Sequence, residues 1–255
     1  MKRTLALIVA VLIVAVFASV LCAAKSPVAY VTIANGELVL VREAVTLKDA
    51  DGDGALTVND ALYLAHEAKY EGGAAAGYGS VNDPSYGLSL TKLWGVENGG
   101  SYGYYVNDSM AFSLADPVSD GDEIVAFVYT DTAGFSDSYS YFDVKQGKNS
   151  VKLTFYVCSY DENWNIVPTP TAGAEITIDG VKTGITTDAN GKATISADKA
   201  GTHTVSALLE GVNLVPPVCT LKKSATPATG DSGVIVLAVI GAIALAGFAA
   251  AKKVK

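Results

Sequence analysis

One segment with helical periodicity stands between strand-like runs in the first half of the chain. Its apolar residues recur at spacings of three and four and stop before Gly72-Gly73; they are Val58, Ala61, Leu62, Ala65 and Ala68. Two β-rich runs precede it, residues 28–34 and 37–46, and the Asn35-Gly36 pair between them is a strong hairpin signal. A lone helix beside a hairpin can bury its apolar side against the sheet.

Further strands are expected after this helix, at residues 90–96, 101–107, 122–130 and 138–144. The resulting order is two strands, one helix and a return of strands. This order is typical of a β-grasp sheet with its helix packed across one face. We therefore predict an α+β domain with a β-grasp-like fold over residues 25–147.

The segment 148–222 has a different pattern, with tight turns at Asp179-Gly180 and Asn190-Gly191. Its expected strands are short and lie at residues 151–156, 174–179, 184–187, 193–196, 202–208 and 218–222. Short strands at this spacing are typical of a β-sandwich. We predict that this second domain is an all-β, immunoglobulin-like sandwich.

An acidic loop connects the hairpin to the helix. Residues 49–60 read Asp-Ala-Asp-Gly-Asp-Gly-Ala-Leu-Thr-Val-Asn-Asp, which matches the charged positions and the central glycine of an EF-hand loop. Calcium takes about six to eight oxygen ligands, and crowded carboxylates repel one another without a cation. The predicted Ca²⁺ ligands are Asp49, Asp51, Asp53, the Ala55 carbonyl, Thr57 and Asp60. The alternative is an acidic turn that needs no ion.

The last position of this loop is Asp60, where calcium sensors have Glu. In that respect the loop is similar to dockerin loops, and the resemblance implies calcium binding. Dockerins pair two such segments, whereas one is found here, so dockerin function is not expected. Because a strand rather than a helix leads into the loop, we expect a static clamp and not a switch. Extracellular modules with dissociation constants of about 10⁻⁴ to 10⁻³ M hold calcium outside cells.

Two further resemblances concern the domains. The residues Tyr-Gly-Tyr-Tyr-Val-Asn-Asp (102–108) and Asp-Gly-Asp-Glu-Ile-Val-Ala-Phe-Val-Tyr-Thr (120–130) resemble a family of exported bacterial domains similar to the C-terminal domain of transcobalamin. This resemblance covers about residues 85–145 and implies a ubiquitin-like β-grasp. Residues 172–180 and 186–193 resemble collagen-adhesin B-type and carboxypeptidase-regulatory-like modules. The second resemblance implies an immunoglobulin-like stalk.

Both ends of the chain are apolar. Lys2-Arg3, an apolar run and Cys22-Ala23-Ala24 indicate a cleaved export signal over residues 1–24, with a membrane anchor or a lipoprotein signal as alternatives. Residues 234–251 contain no charge and would span about 27 Å as a helix, enough to cross a bilayer. The basic tail 252–255 should stay on the cytoplasmic side. We therefore expect hydrophobic helices at both termini and a body that faces outward.

The linker 223–233 contains Thr-Pro-Ala-Thr-Gly-Asp at residues 226–231. This motif, followed by an apolar segment and a basic tail, resembles the sorting signal of Gram-positive cell-surface proteins, with Thr226 where the family has Leu. The resemblance implies sortase cleavage between Thr229 and Gly230 and attachment to peptidoglycan. A plain membrane anchor is the alternative. Either arrangement places the protein at the cell surface.

The net charge of the chain is −8. Without the charged residues at its two ends, 13 basic residues stand against 25 acidic ones. A body this acidic repels phosphate backbones, so nucleic acid is not an expected partner.

Cysteine and aromatic residues give two more expectations. Cys158 and Cys219 can form a disulfide in an exported domain, or remain as two buried thiols. Tyrosines are concentrated in the first domain and the start of the second, and they pack in a core or offer rigid area to a ligand. The predicted ligand face consists of Trp94, Tyr102, Tyr104 and Tyr105.

No set of residues in the sequence points to catalysis. The only histidines are His66, expected to be partly exposed on the helix, and His203, and no Ser or Cys has a nucleophile-elbow setting. We predict that the protein is not an enzyme. The expected function is that of an anchored, calcium-binding surface protein that acts by adhesion or as a structural module, with an extracellular protein or glycan as ligand. The alternative is a surface receptor for a small ligand such as a corrinoid.

Overall fold

The computed structural model describes residues 26–85, 87–99, 101–163 and 165–225. Within these ranges the chain is mostly β-strand, with two helices. The helices are α1 (Val58–Lys69) and α2 (Gly73–Gly77). The strands are β1 (Val28–Asn35), β2 (Glu37–Thr46), β3 (Gly79–Asp83), β4 (Gly87–Lys92), β5 (Tyr102–Val106), β6 (Ser109–Met110), β7 (Glu123–Val128), β8 (Ser140–Gln146), β9 (Ser150–Tyr160), β10 (Ile166–Pro170), β11 (Glu175–Ile178), β12 (Val181–Thr186), β13 (Lys192–Ser196), β14 (Gly201–Leu208) and β15 (Cys219–Lys223).

Five strands form the first sheet, in the order β2-β1-β7-β5-β6. Its central strands β1 and β7 run parallel, and the other neighbours are antiparallel. The predicted hairpin of β1 and β2 is confirmed. Gly36 has a φ of +71°, whereas Asn35 lies outside the left-handed region, so this turn requires one positive φ and not the two expected.

Helix α1 lies across one face of the first sheet, as the apolar periodicity predicts. Val58, Ala61, Leu62 and Ala65 are buried and pack in one cluster with aliphatic side chains of β1 and β7. Ala68, the last residue of the predicted apolar set, is exposed instead. The same face is covered further along by the hairpin of β3 and β4, which the sequence did not predict as a pair.

The opposite face of the first sheet is also covered. Tyr105 on β5 and Phe127 on β7 point to this side and pack with Tyr139, Cys158 and Val215 from the second half of the chain. Successive side chains of a strand alternate between faces, so this face carries a different residue set from the one under α1. The two halves of the protein are therefore joined through a shared apolar core.

The second half contains two four-stranded sheets. One has the order β10-β9-β13 with β8 also paired to β9, and the other has the order β12-β11-β14-β15. Their facing side chains form a second core, with Phe155, Ile176, Ile195 and Leu221 fully buried. The predicted strands of this half are present with shifted ends, and β10 is an additional strand.

The predicted boundary at residues 147 and 148 falls in the turn of a β-hairpin. Strand β8 lies before that boundary, yet it pairs along its whole length with β9 through a tight turn in which Gly147 N–H donates to the Ser150 carbonyl at 2.7 Å. Phe142 of β8 belongs to the core of the sandwich. A hairpin of neighbouring strands forms more readily than a distant pairing, which explains why β8 stays with β9.

The predicted export signal, linker motif, transmembrane segment and basic tail lie outside the described residues, apart from the first residues of the linker. Within the described part of the chain, no helix combines the length and apolar character needed to cross a bilayer.

Candidate metal centre

Three of the six predicted calcium ligands come together in the acidic loop. The carboxylates of Asp49, Asp51 and Asp53 each place an oxygen within 4.8 Å of the others, and all three residues are exposed. The loop leaves the first sheet after β2 and enters α1, so its position is fixed at both ends. This arrangement offers a set of hard oxygen donors to a divalent cation.

Backbone N–H groups shape the first part of the loop. Asp49 accepts from Gly52 N at 2.6 Å through Oδ1 and from Gly54 N at 2.9 Å through Oδ2. The N–H groups of Gly54 and Gly52 hold the pKa of the Asp49 carboxyl below its ordinary value, because they favour the charged form. Gly52 has a φ of +81° and Gly54 has a φ of +88°, a conformation in which a side chain would be strained.

The other two carboxylates are partly engaged. Asp51 accepts from Asp53 N at 3.2 Å and from Asn59 Nδ2 at 2.9 Å. Asp53 Oδ1 accepts from Ala55 N at 2.8 Å. The Oδ2 atom of Asp53 makes no hydrogen bond within the described ranges, and it is the oxygen most readily offered to a ligand.

Asp60 has a different role from the one expected. It is fully buried, its Oδ1 accepts from Ala50 N at 2.7 Å, and its Oδ2 accepts from the N–H and the hydroxyl of Thr57 at 2.9 and 2.8 Å. Thr57 and Asp60 thus form a reciprocal capping box at the start of α1. Asp60 is not part of the cluster of three carboxylates. Direct coordination by Asp60, by Thr57 and by the Ala55 carbonyl stays a prediction.

The end of the loop is anchored to the segment before β7. Val58 N donates to the Asp116 carbonyl at 3.0 Å, Asn59 N donates to the Leu114 carbonyl at 2.9 Å, and Val118 N donates to the Leu56 carbonyl at 2.9 Å. The bonds from Val58 and Asn59 satisfy N–H groups that the first turn of a helix leaves without an intrahelical partner. The start of α1 is therefore fixed by the body of the protein.

The predicted ligand face does not exist as one surface. Tyr105 is 1% exposed and stacks on Tyr139, with ring centroids 3.7 Å apart, on the side of the sheet away from Tyr102 and Tyr104. Trp94 packs between His66 and Tyr70 at centroid distances of 5.2 Å. Strand alternation separates the neighbours Tyr104 and Tyr105, which a list of nearby aromatics does not reveal.

Tyr102 and Tyr104 do share a shallow groove under the β3–β4 hairpin. Its wall includes hydroxyl and carboxylate side chains, among them Ser89, Thr91 and Glu97. The Tyr102 hydroxyl lies 2.8 and 2.9 Å from the Thr91 and Val96 carbonyl oxygens, which share its single proton, and these contacts fix its ring. Two of the four predicted face residues are therefore found together.

His66 is buried, contrary to the expectation that it is partly exposed. Its Nδ1 lies 2.6 Å from the Leu62 carbonyl, and its Nε2 accepts from Trp94 N at 3.0 Å. Burial lowers the pKa of His66, with a smaller opposing effect from the Leu62 carbonyl. A neutral ring satisfies both contacts, since Nδ1–H donates to Leu62 while Nε2 accepts. The helix position alone did not indicate this, because the covering residues follow much later in the chain.

The predicted disulfide is absent, and the alternative of two free thiols holds. Cys158 and Cys219 are both buried and unbonded. Cys158 lies in the core shared by the two halves, whereas Cys219 belongs to the core of the sandwich. Burial raises the pKa of Cys158 to about 11 and that of Cys219 to about 12, so both stay protonated and unreactive at neutral pH.

The predicted sortase residues Thr229 and Gly230 lie outside the described residues. No known family model matches this chain, and the searches of curated proteins and of solved structures found no match.

Proposed function

We propose that the protein is a calcium-binding surface protein, anchored to the membrane or cell wall with its body outside the cell, that acts by adhesion or as a structural module. The observation that carries the proposal is the set of three carboxylates within 4.8 Å at the entry to α1. Their spacing in the sequence is that of a calcium loop. The charged segments at both termini support the outward orientation.

The loop suits a static clamp. Asp49 is held by two backbone N–H groups and Asp51 by Asn59, so the donors are largely positioned before a cation binds. A bound Ca²⁺ would neutralise charges that otherwise repel one another. Ala55, Thr57, Asp60 or water would supply the remaining oxygens. Since the first turn of α1 is anchored separately, binding should stiffen the loop without moving the helix.

The fold supports a binding role for the whole body. We propose that the first sheet with α1 is a β-grasp-like domain and that the second half is an immunoglobulin-like sandwich. The parallel central pair β1 and β7, with antiparallel strands on both sides, supports the first assignment. The two facing four-stranded sheets support the second. The shared core between them would make the body a stiff support for a ligand face.

The groove of Tyr102 and Tyr104 is the best candidate for contact with an extracellular protein or glycan. Tyrosine rings offer flat apolar area, and the neighbouring Ser89 and Thr91 offer hydrogen bonds. Peptidoglycan attachment through the linker and membrane contact through the C-terminal helix complete the proposal. That the protein is not an enzyme stays a prediction. Capture of a small ligand such as a corrinoid stays the alternative function.

The first test is a calcium titration of the full chain by calorimetry, together with its melting temperature in calcium and in chelator. We expect saturable binding and a higher melting temperature with calcium, because the cation binds the folded loop. Asp53→Asn keeps the acceptor for Ala55 N and removes one charge, so its calcium affinity should fall about tenfold or more.

Asp131→Asn is the matched control. Asp131 forms the same kind of turn, accepting from Ala133 N at 3.2 Å and from Gly134 N at 2.8 Å, outside the acidic loop. Its substitution should leave the calcium affinity unchanged. A wild-type chain that releases no heat with calcium, and melts at the same temperature in chelator, would refute the calcium part of the proposal.

A further inference from the structure

A cavity of about 310 Å³ lies at the junction of the first sheet and the sandwich. One wall comes from β1, β2 and β7, and the other from β8 and the segment that enters β15. Small-molecule sites have volumes from about 300 Å³ upward and occur preferentially where domains meet. The cavity is separate from the acidic loop and from the tyrosine groove.

Three side chains of the wall are charged at neutral pH, namely Arg42, Asp108 and Glu123. Arg42 and Glu123 neutralise each other, because the guanidinium forms a double contact with the carboxylate, with Nε 3.0 Å from Oε2. Arg42 also lies 5.2 Å above the Tyr30 ring. Asp108 is therefore left as an uncompensated negative charge of the cavity.

Asp108 has one oxygen available. Its Oδ1 accepts from the Tyr139 hydroxyl at 2.7 Å, and its Oδ2 has no hydrogen bond within the described part of the chain. The residue is exposed to solvent, but neighbouring protein atoms remove part of the hydration of the carboxyl and raise its pKa. A carboxylate in this setting gains more from a nearby cation than one in open water does.

The hairpin turn between β5 and β6 places Asp108. Asn107 and Asp108 have φ values of +50° and +61°, the two left-handed residues that a two-residue hairpin turn requires. The Asn107 side chain fixes this turn by accepting from Glu123 N at 3.0 Å. The position of the Asp108 carboxylate in the cavity wall is therefore set by the hairpin.

The rest of the wall combines polar side chains, among them Thr32, Ser140 and Gln146, with the apolar side chains of Val125, Phe142, Val144 and Val218. We propose that this cavity binds a small organic ammonium ion with an apolar body, whose charge is neutralised by Oδ2 of Asp108. The apolar part contacts the valine and phenylalanine side chains. The Arg42–Glu123 pair closes one wall, and the negative charge of Asp108 disfavours anions.

The test uses phenethylamine as the probe, in calorimetric titrations of the full chain at pH 7. Its neutral and anionic counterparts, 2-phenylethanol and phenylacetate, have nearly the same shape. We expect saturable binding of the amine with one site per chain, at least about tenfold tighter than either counterpart. Equal binding of the alcohol, or no saturable binding of the amine, would overturn the proposal.

Asp108→Asn keeps an oxygen for the Tyr139 hydroxyl and removes the charge, so it should weaken amine binding about tenfold or more. Asp198→Asn, at an exposed position outside the cavity, should bind like the wild type. If Asp108→Asn does not fold, Val218→Trp fills the cavity from a segment before β15 and should abolish binding. A folded Asp108→Asn or Val218→Trp variant with wild-type affinity shows that the amine binds elsewhere and refutes the assignment.

Discussion

Two loops of this protein both hold aspartate carboxylates with backbone N–H groups, but they differ in whether every carboxylate oxygen accepts a hydrogen bond. In the loop 130–137, Asp131 accepts from two backbone N–H groups and from the Ser136 hydroxyl, and Asp137 accepts from the N–H and hydroxyl of Thr130 and from Asp131 N. All four carboxylate oxygens are thus satisfied by the protein. In the acidic loop, three carboxylates converge, and Asp53 keeps one oxygen without a hydrogen bond in the described structure.

The difference shows that an acidic loop becomes a candidate cation site through its surplus of acceptors over donors. A carboxylate whose oxygens already accept strong hydrogen bonds gains less from a metal ion. Asp60 belongs with the satisfied group, although the sequence places it in the calcium pattern. Three predictions compare the acidic loop and α1 with other parts of the molecule, in order of decreasing effect.

The largest effect is expected for Asp60→Ala. The substitution leaves Ala50 N, Thr57 N and the Thr57 hydroxyl without their acceptor in a buried site. Loss of a helix cap together with unsatisfied buried donors should lower the free energy of unfolding by about 2–3 kcal/mol. Urea denaturation of the full chain in chelator measures this loss without a contribution from calcium.

Asp137→Ala is the comparison for that measurement. Asp137 accepts a similar number of hydrogen bonds, but it is only half-buried, so water can replace the lost acceptor. We expect a loss of at most about 1 kcal/mol. An equal loss in the free energy of unfolding for the two variants would mean that the buried cap of α1 stabilises the protein no more than the half-buried Asp137 does.

Acid should destabilise the region of the acidic loop and α1 through His66. The pKa of His66 is lowered in the folded state, so the unfolded chain binds more protons once the pH falls below about 6.5. Stability should therefore decrease toward pH 5, by no more than about 1.4 kcal/mol per pH unit. Amide hydrogen exchange of α1 should rise first, while that of β8 beside the loop 130–137 should follow the global unfolding.

The second histidine gives the control with the opposite sign. Asp179 raises the pKa of His203, so its stabilising contact is present at low pH and is lost as the pH rises through the folded pKa. His66→Gln should remove the loss of stability between pH 7 and 5, and His203→Gln should steepen it. A His66→Gln variant with the wild-type slope would contradict the burial of a neutral ring.

The smallest effect on stability is expected below pH 4, when aspartates of the two loops become protonated. Backbone N–H groups lower the pKa of both Asp49 and Asp131. Each contributes stability above the unfolded pKa of about 3.9, and the contribution is lost as the pH falls through the folded value. NMR titration of the two carboxyl groups in chelator should give similar midpoints, whereas calcium should shift only the midpoint of Asp49 further down.

Several elements could be predicted from local pattern. The hairpin of β1 and β2 follows from alternating β-formers around Gly36, and α1 follows from apolar spacing and its capping residues. The convergence of Asp49, Asp51 and Asp53 follows from two glycines that let the backbone turn between them. Each of these signals acts within about ten residues, so the rest of the chain has little power to override it.

Other features depended on partners distant in the chain. Strand alternation alone separates Tyr104 from Tyr105, but the packing of the two halves decided that Tyr105 is the one that enters the shared core. The burial of His66 required Trp94 to fold over it. Strand β8 could be assigned to the sandwich only from its pairing with β9.

By itself, the sequence determined most of the strands, helix α1 and the segment where the aspartates gather, because propensity, turn chemistry and side-chain spacing act locally. The folded geometry of the acidic loop decided which of its oxygens are satisfied, because Ala50, Thr57 and Asn59 donate to Asp60 and Asp51 only once the loop has closed on the start of α1. The tertiary structure alone decided that the two halves share one core around Tyr105 and Tyr139, with the Arg42 and Asp108 cavity beside it. Long-range packing of this kind leaves no periodic signal in the chain.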